Sequence, residues 1–246
     1  MAIVRLFEKQ YGGEADGRPV GPNLTPDPDS PHIHLLDRYM SLRPLLRDMH
    51  SEAFRQMSRR GIRQAAEALG MWRDNTLYFD NESNMDVFWE YCLYQHFHDG
   101  QNGVQRYTRA SRFAPGSDKA LLAAAMTNAR YRLMEIESLE KGVGITVRDI
   151  LRHDRFFIMD RNFGSTATAG AVISGTILGL SEFSMTTGGV VPLRGGWKKV
   201  VREVCGVALD GDALRATLSR DMEKTLAQHL VRLALDSGWT ESVQYL

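Results

Sequence analysis

From Ala129 to Pro192 short apolar runs alternate with turn residues, whereas on either side of this stretch apolar positions recur every third and fourth residue. The first pattern predicts strands and the second predicts helices. Residues 130–136 mix β-branched and aromatic side chains with charges and lead into a hairpin at residues 140–142. Residues 144–148 return with Ile145 and Val147 on one face and Thr146 and Arg148 on the other, the period of a half-buried strand. After a turn at residues 152–154, residues 155–159 are apolar on both faces, which predicts the centre of a sheet. Residues 160–164 read as a turn, residues 171–178 and 182–186 as further strands, and Pro192 as the end of the run. No helix-length pattern intervenes, so the strands predict a small antiparallel β-meander or barrel, its open edges covered by the flanking helices.

In residues 35–58, Leu42, Leu45, Met49, Ala53 and Met57 share one helical face, and Pro44 predicts that this helix begins near Ser41. Its outer face carries Arg43, Arg47, Arg55, Arg59, Arg60 and Arg63 against Asp48 and Glu52. Ile62, Ala65, Ala66 and Leu69 repeat the spacing ahead of a capping Gly70, and residues 75–80 suit a short strand. Ser83–Asp86 resembles a capping box opening the most apolar helix, residues 87–97, which is apolar all round and therefore expected at the centre of the helical half. Ser117 or Asp118 is placed to cap residues 119–126. Beyond a glycine spacer, residues 197–204 form a short amphipathic helix. A longer one is expected after Asp210–Asp212, with Leu214, Leu218, Met222, Leu226, Leu230 and Leu233 repeating to Asp236. At roughly 1.5 Å per residue it would extend about 36 Å, across the rest of the protein or along a second chain.

The resulting fold class is α+β. A Gly/Pro-rich extended or flexible segment (residues 1–34) precedes a helical region (35–128), a small antiparallel β-domain (129–193) and a C-terminal helical segment (194–246).

Thirty basic residues balance thirty acidic ones in the 246-residue chain, so attraction to nucleic acid or an anionic membrane would require a local patch. The arginine face is such a patch. Arg55, Arg59, Arg60 and Arg63 are its candidate nucleic-acid or phosphate ligands, because the guanidinium fork suits bidentate contact; the competing reading is a solvated face paired with acids elsewhere. Few aromatic residues interleave with these arginines, Phe54 being the exception. Cys92 and Cys205 sit in apolar helical contexts, as small core residues of a reducing compartment. His32, His34, His96 and His98 form two alternate-residue pairs without the further ligands a zinc site needs, so no metal and no cofactor is expected. Asp149, Asp154 and Asp160 cluster at strand ends, as turn residues or as a carboxylate pair for acid–base chemistry. Neither a secretion signal nor a transmembrane run is present, which makes a cytoplasmic location the expectation.

The sequence of residues 142–151, followed by Phe157–Asp160, Gly164–Gly170 and Phe183–Gly189 with Pro192, resembles a family of uncharacterised bacterial proteins. Residues 80–107, with Asp99-Gly-Gln-Asn102 and Arg106-Tyr107, look like the helix preceding these strands in the same family. The likeness runs over residues 62–193. Some relatives of the strand segment carry a cysteine-rich zinc motif of the SecA C-terminal type, which this chain lacks. The resemblance implies the domain arrangement and no activity. The functional expectation is a non-enzymatic cytoplasmic binding or adaptor protein with an unidentified protein partner, with self-association through the C-terminal helix as one form of it. The alternatives are a nucleic-acid-associated protein using residues 43–63 and an enzyme using the strand-end carboxylates.

Overall fold

The computed structural model describes residues 25–206 and 218–242. Helix α1 (Leu36–Arg55) starts a turn and a half before the expected Ser41, with Pro44 inside it. Pro44 lies on the solvent side, so the Met40 carbonyl deprived of its helical partner faces water. A break at Gln56–Ser58 separates α1 from α2 (Arg59–Ala68), and Gly70 closes α2 in the left-handed conformation, as its position predicted. The expected strand over residues 75–80 is instead half of a hairpin, β1 (Trp72–Arg73) and β2 (Thr76–Leu77), turned by Asp74 and Asn75 at φ 47° and 58°.

Helix α3 (Glu82–Glu90) is capped by Asn81, whose side chain accepts the Asn84 N–H at 2.8 Å; the cap expected at Ser83 lies inside the first turn. Past Glu90 the helix widens into a π-turn, Tyr91–Gln95, before the chain turns at residues 96–101 and starts α4 (Gly103–Ala110). The single helix implied for residues 80–107 is therefore two, because a complete capping box between Asn102 and Gln105 opens a new one. α5 (Asp118–Asn128) is capped by Ser117. Phe54, Phe79, Phe88 and Trp89 pack edge-on or tilted at centroid distances of 4.2–5.7 Å in the centre of this half. Asn81→Ala should cost about 1 kcal/mol, read as a melting temperature lowered by roughly 2–4 °C in thermal denaturation.

The strands follow as β3 (Arg130–Glu140), β4 (Gly144–Asp149), β5 (Arg155–Met159), β6 (Val172–Gly179), β7 (Ser184–Thr186) and β8 (Val191–Leu193). Their order is β3-β4-β5-β7-β6-β8, and β3 also pairs with β6, which closes five strands into a barrel with β8 added to β6. All pairings are antiparallel except β5 with β7, joined in parallel through Ile158 and Ser184 alone. The apolar segment 155–159 is thus beside the seam of a barrel rather than in the middle of a sheet. The most fully paired strand is β6, with β3 on one side and β8 then β7 on the other. Pro192 falls inside β8 opposite Ile173, tolerated because β8 pairs on one side only. Met134, Ile136, Ile145, Val147, Ile158, Ile173, Ile177 and Val190 fill the barrel, while Tyr131, Leu133, Met159, Leu178 and Met185 point outward into the core shared with the helices. The expected turn at residues 160–164 is a short helix, α6 (Arg161–Thr166), which crosses the β3–β4 hairpin. Gly164 permits that crossing, since a Cβ there would lie 2.5 Å from the Glu140 carbonyl oxygen.

α7 (Trp197–Cys205) packs on α8 (Arg220–Asp236), which in turn lies against the barrel's outer face at β3, β6 and β8. α8 begins at the Ser219 cap, so the continuous helix expected from Asp212 is shorter, about 26 Å at 1.5 Å per residue. Leu218 precedes this cap, and Leu214 with the expected Asp210–Asp212 cap lies outside the described residues. Leu226 and Leu230 of its stripe are buried within this chain. Among the described residues no helix is long and apolar enough to cross a membrane.

Candidate functional site

The predicted arginines separate into three groups. Arg43 is turned inward, not outward, and donates to the Thr186 carbonyl at 2.6 Å, because its position on α1 faces the barrel. Arg55 is exposed in the last turn of α1, where a cation complements the helix dipole. Arg59, Arg60 and Arg63 are all exposed on one side of α2, whose other side buries Gly61, Ile62, Ala65 and Ala66. Ser58 caps α2 by accepting the Gly61 N–H at 3.0 Å, and the first turn contains no acidic residue. Arg59 and Arg60 therefore occupy the positive end of the helix dipole, each disfavoured there by about 0.3–1 kcal/mol.

Sequence spacing did not reveal the aromatic side of this surface. Arg63 donates to Glu67 at 2.7 Å and lies over the Trp72 ring, 5.4 Å from its centroid. The β1–β2 hairpin projects Trp72 next to α2, with Arg73 exposed and Tyr78, just after β2, 49% exposed. Arg232 of α8 approaches within 3.7 Å of where a Gly70 Cβ would stand, and Lys224 lies 3.7 Å from the centroid of Phe97. At the start of α2, Arg106 of α4 donates to the His98 carbonyl at 2.6 Å, and His98 Nδ1 bonds Gln64 at 2.9 Å. Arg63 and Arg73 thus stand with Trp72 and Tyr78 beside the exposed side of α2, while Lys224 of α8 pairs with Asp221 at 2.7 Å and Arg232 with Asp236 at 3.6 Å. The signal in the sequence was the Trp72-Arg73 dipeptide ahead of Asp74-Asn75, which only chain folding brings beside Arg63.

Of the strand-end aspartates, Asp149 and Asp154 share one arginine and Asp160 is engaged elsewhere. Asp149 is fully buried, accepts the Leu151 and Arg152 N–H groups at 2.8 and 2.9 Å, and pairs with Arg132 and Arg152. Asp154 is exposed and shares Arg132. Asp160 caps α6 and accepts the Thr186 hydroxyl at 3.1 Å. His32 stacks on Phe157 at 3.8 Å and bonds Glu140 at 2.8 Å. Among the described residues no cluster of three or more His, Cys, Asp or Glu side chains could hold a metal ion. Cys92 is buried and Cys205 half-buried, both as free thiols.

A second polar centre lies between α1, α3 and the barrel. β6 is flanked by β8 through Ser174 and by β7 from Ile177, which leaves Gly175 and Thr176 without a strand on that side. The Glu90 carboxyl fills the gap and accepts the Thr176 N–H at 2.9 Å. Gln95 donates to the Thr176 hydroxyl at 2.8 Å, and the Thr187 N–H and hydroxyl both reach the Thr176 carbonyl at 3.2 Å. Burial pushes Glu90 up to about 7, and Asp86, one turn earlier, also up to about 7. Burial and the nearby Arg43 lower His50 to about 3, so its imidazole is neutral where it shares a hydrogen bond with the Tyr94 hydroxyl at 2.7 Å. Two acids four residues apart within the most apolar helix were the sequence signal for this centre.

These features define a protein in which a closed five-stranded barrel is built onto a helical body, with a basic and aromatic surface at the helical end. A family model matches residues 34–194, and the chain belongs to that family, DUF7986, a family of unknown function. Comparison with curated proteins and with solved structures finds no match.

Proposed function

We propose that this is a cytoplasmic, non-enzymatic binding or adaptor protein whose contact surface is the exposed side of α2 together with the β1–β2 hairpin. The supporting observation is the placement of Arg59 and Arg60. Both are exposed in the first turn of α2, where no acid accompanies them and the helix dipole opposes them. Folding gains nothing from cations at that position, so contact with an anionic partner accounts for them. The neighbouring hairpin adds Trp72, Arg73 and Tyr78, side-chain types that dominate binding energies at interfaces.

The double variant Arg59→Glu/Arg60→Glu separates stability from binding. Acids in the first turn favour the dipole, so its melting temperature should equal or exceed that of the parent protein. Native mass spectrometry of protein purified from its own cells should show added partner mass on the parent and none on the variant. An apo parent protein, or added mass that survives the charge reversal, would overturn this reading.

A further inference from the structure

We propose that the surface of α2 and the hairpin takes single-stranded nucleic acid, an inference that rests on the binding reading above and names its partner class. Three features distinguish such a strand from other anions. First, the cations are mainly guanidinium groups, Arg59, Arg60, Arg63 and Arg73, whose planar forks match phosphate oxygens. Second, a cation and a ring meet at contact distance on this surface, Arg63 over Trp72. Glu67 holds the Arg63 guanidinium over the Trp72 ring, a site on which a base can stack. Third, Tyr78 is a large, half-exposed ring that the fold leaves uncovered.

Unpaired bases use such rings, whereas the bases of a duplex are already stacked and paired, and an acidic peptide would use the cations alone.

The test is fluorescence anisotropy of the full chain with 5′-labelled 12-mer oligouridylate and oligodeoxythymidylate at 50 and 200 mM salt, with polyglutamate as competitor. Binding should weaken as salt rises. Arg59→Ala/Arg60→Ala should weaken it at least tenfold and flatten the log–log salt slope by about 1.4, the share of two phosphates on a single strand. Trp72→Ala and Tyr78→Ala should each weaken it about fivefold or more with the slope unchanged. Tyr78 is exposed, so its variant keeps the test valid if Trp72→Ala unfolds. No anisotropy change at 50 mM salt overturns the inference. So does displacement by polyglutamate together with indifference to Tyr78→Ala, and in that case arginine dependence would leave the binding surface intact with an acidic protein as its partner. Oligonucleotide binding unaffected by Arg59→Ala/Arg60→Ala would overturn both the inference and the surface on which it rests.

Discussion

Replacing Glu223 with alanine should destabilise the protein by about 3–5 kcal/mol, the magnitude seen when one partner of a buried ion pair is removed. Glu223 is 2% exposed on α8 and receives the Arg130 guanidinium of β3, with Nε at 2.9 and 3.0 Å from its two oxygens. Arg152 also donates to it, and Arg220 stands 3.7 Å away. Arg152 in turn pairs with buried Asp149 at 3.1 Å, Asp149 with Arg132 at 2.8 Å, and Arg132 with Asp154 at 2.9 Å. Charges alternate along the whole chain of contacts, which fastens α8 to the β3 and β4 side of the barrel. Without Glu223, Arg130, Arg152 and Arg220 face one another with no anion between them. Thermal denaturation should show a melting temperature lower by roughly 6–20 °C, at 2–4 °C per kcal/mol for a chain of this size, with Glu223→Gln falling between the alanine variant and the parent. A loss under about 1 kcal/mol would place these residues among the weak surface pairs.

The second large effect is on pH dependence. Burial raises the Glu90 carboxyl to about 7 in the folded protein, whereas in the unfolded chain it titrates at its ordinary value of 4.5. Between about pH 4.5 and 7 the folded state binds the extra proton, so stability falls as pH rises through this window and levels off above it. A shift of this size corresponds to about 3 kcal/mol. Asp86 acts in the same direction, from 3.8 to about 7. His50 acts oppositely: its folded value is lowered to about 3, so it contributes stability above 6.5 that is lost as pH falls toward 3. Glu90→Gln keeps an acceptor for the Thr176 N–H and removes the titration. Urea denaturation at pH 5 and pH 8 should find the variant close to the parent at pH 5, more stable than it at pH 8, and with its pH slope cut to well under half, since His50 offsets much of the Asp86 contribution that remains. Equal slopes in parent and variant would show that Glu90 does not titrate in this window. Gly189 limits the room for adjustment, because a Cβ there would stand 2.6 Å from the second Glu90 carboxyl oxygen.

Element type was largely legible from local pattern. Period-two alternation located β4, apolar runs bounded by turn residues located β3 and β6, and three-and-four spacing located α1 and α2, because an element that buries one face records it as apolar positions. Caps were legible where one residue closes its own helix, by the Ser117 side chain or by the left-handed backbone of Gly70. The Arg59, Arg60 and Arg63 side of α2 was also visible, since its spacing fixes which residues are opposite Ile62, Ala65 and Ala66.

What one-dimensional pattern does not carry is which faces meet. The barrel closes through the pairing of β3 with β6, residues 130–135 against 172–177, a contact between distant segments that no local periodicity encodes. Arg43 shows the same limit: its spacing fits an outer face, but the barrel lies over that side of α1 and the Thr186 carbonyl takes its guanidinium. Trp72 comes to rest under Arg63 because Gly70 ends α2 and the Asp74-Asn75 turn folds the next residues back. Glu90 reads as one of two acids in an apolar helix until the interruption between β7 and β8 supplies the unpaired N–H it accepts. The sequence by itself determined the elements, their order and the basic face of α2, since those follow from neighbours within a few turns of chain. The barrel's closure, the aromatic half of the binding surface, the buried acid in the β6 gap and the Glu223 network were decided by tertiary structure, since each depends on groups brought together from segments remote in sequence.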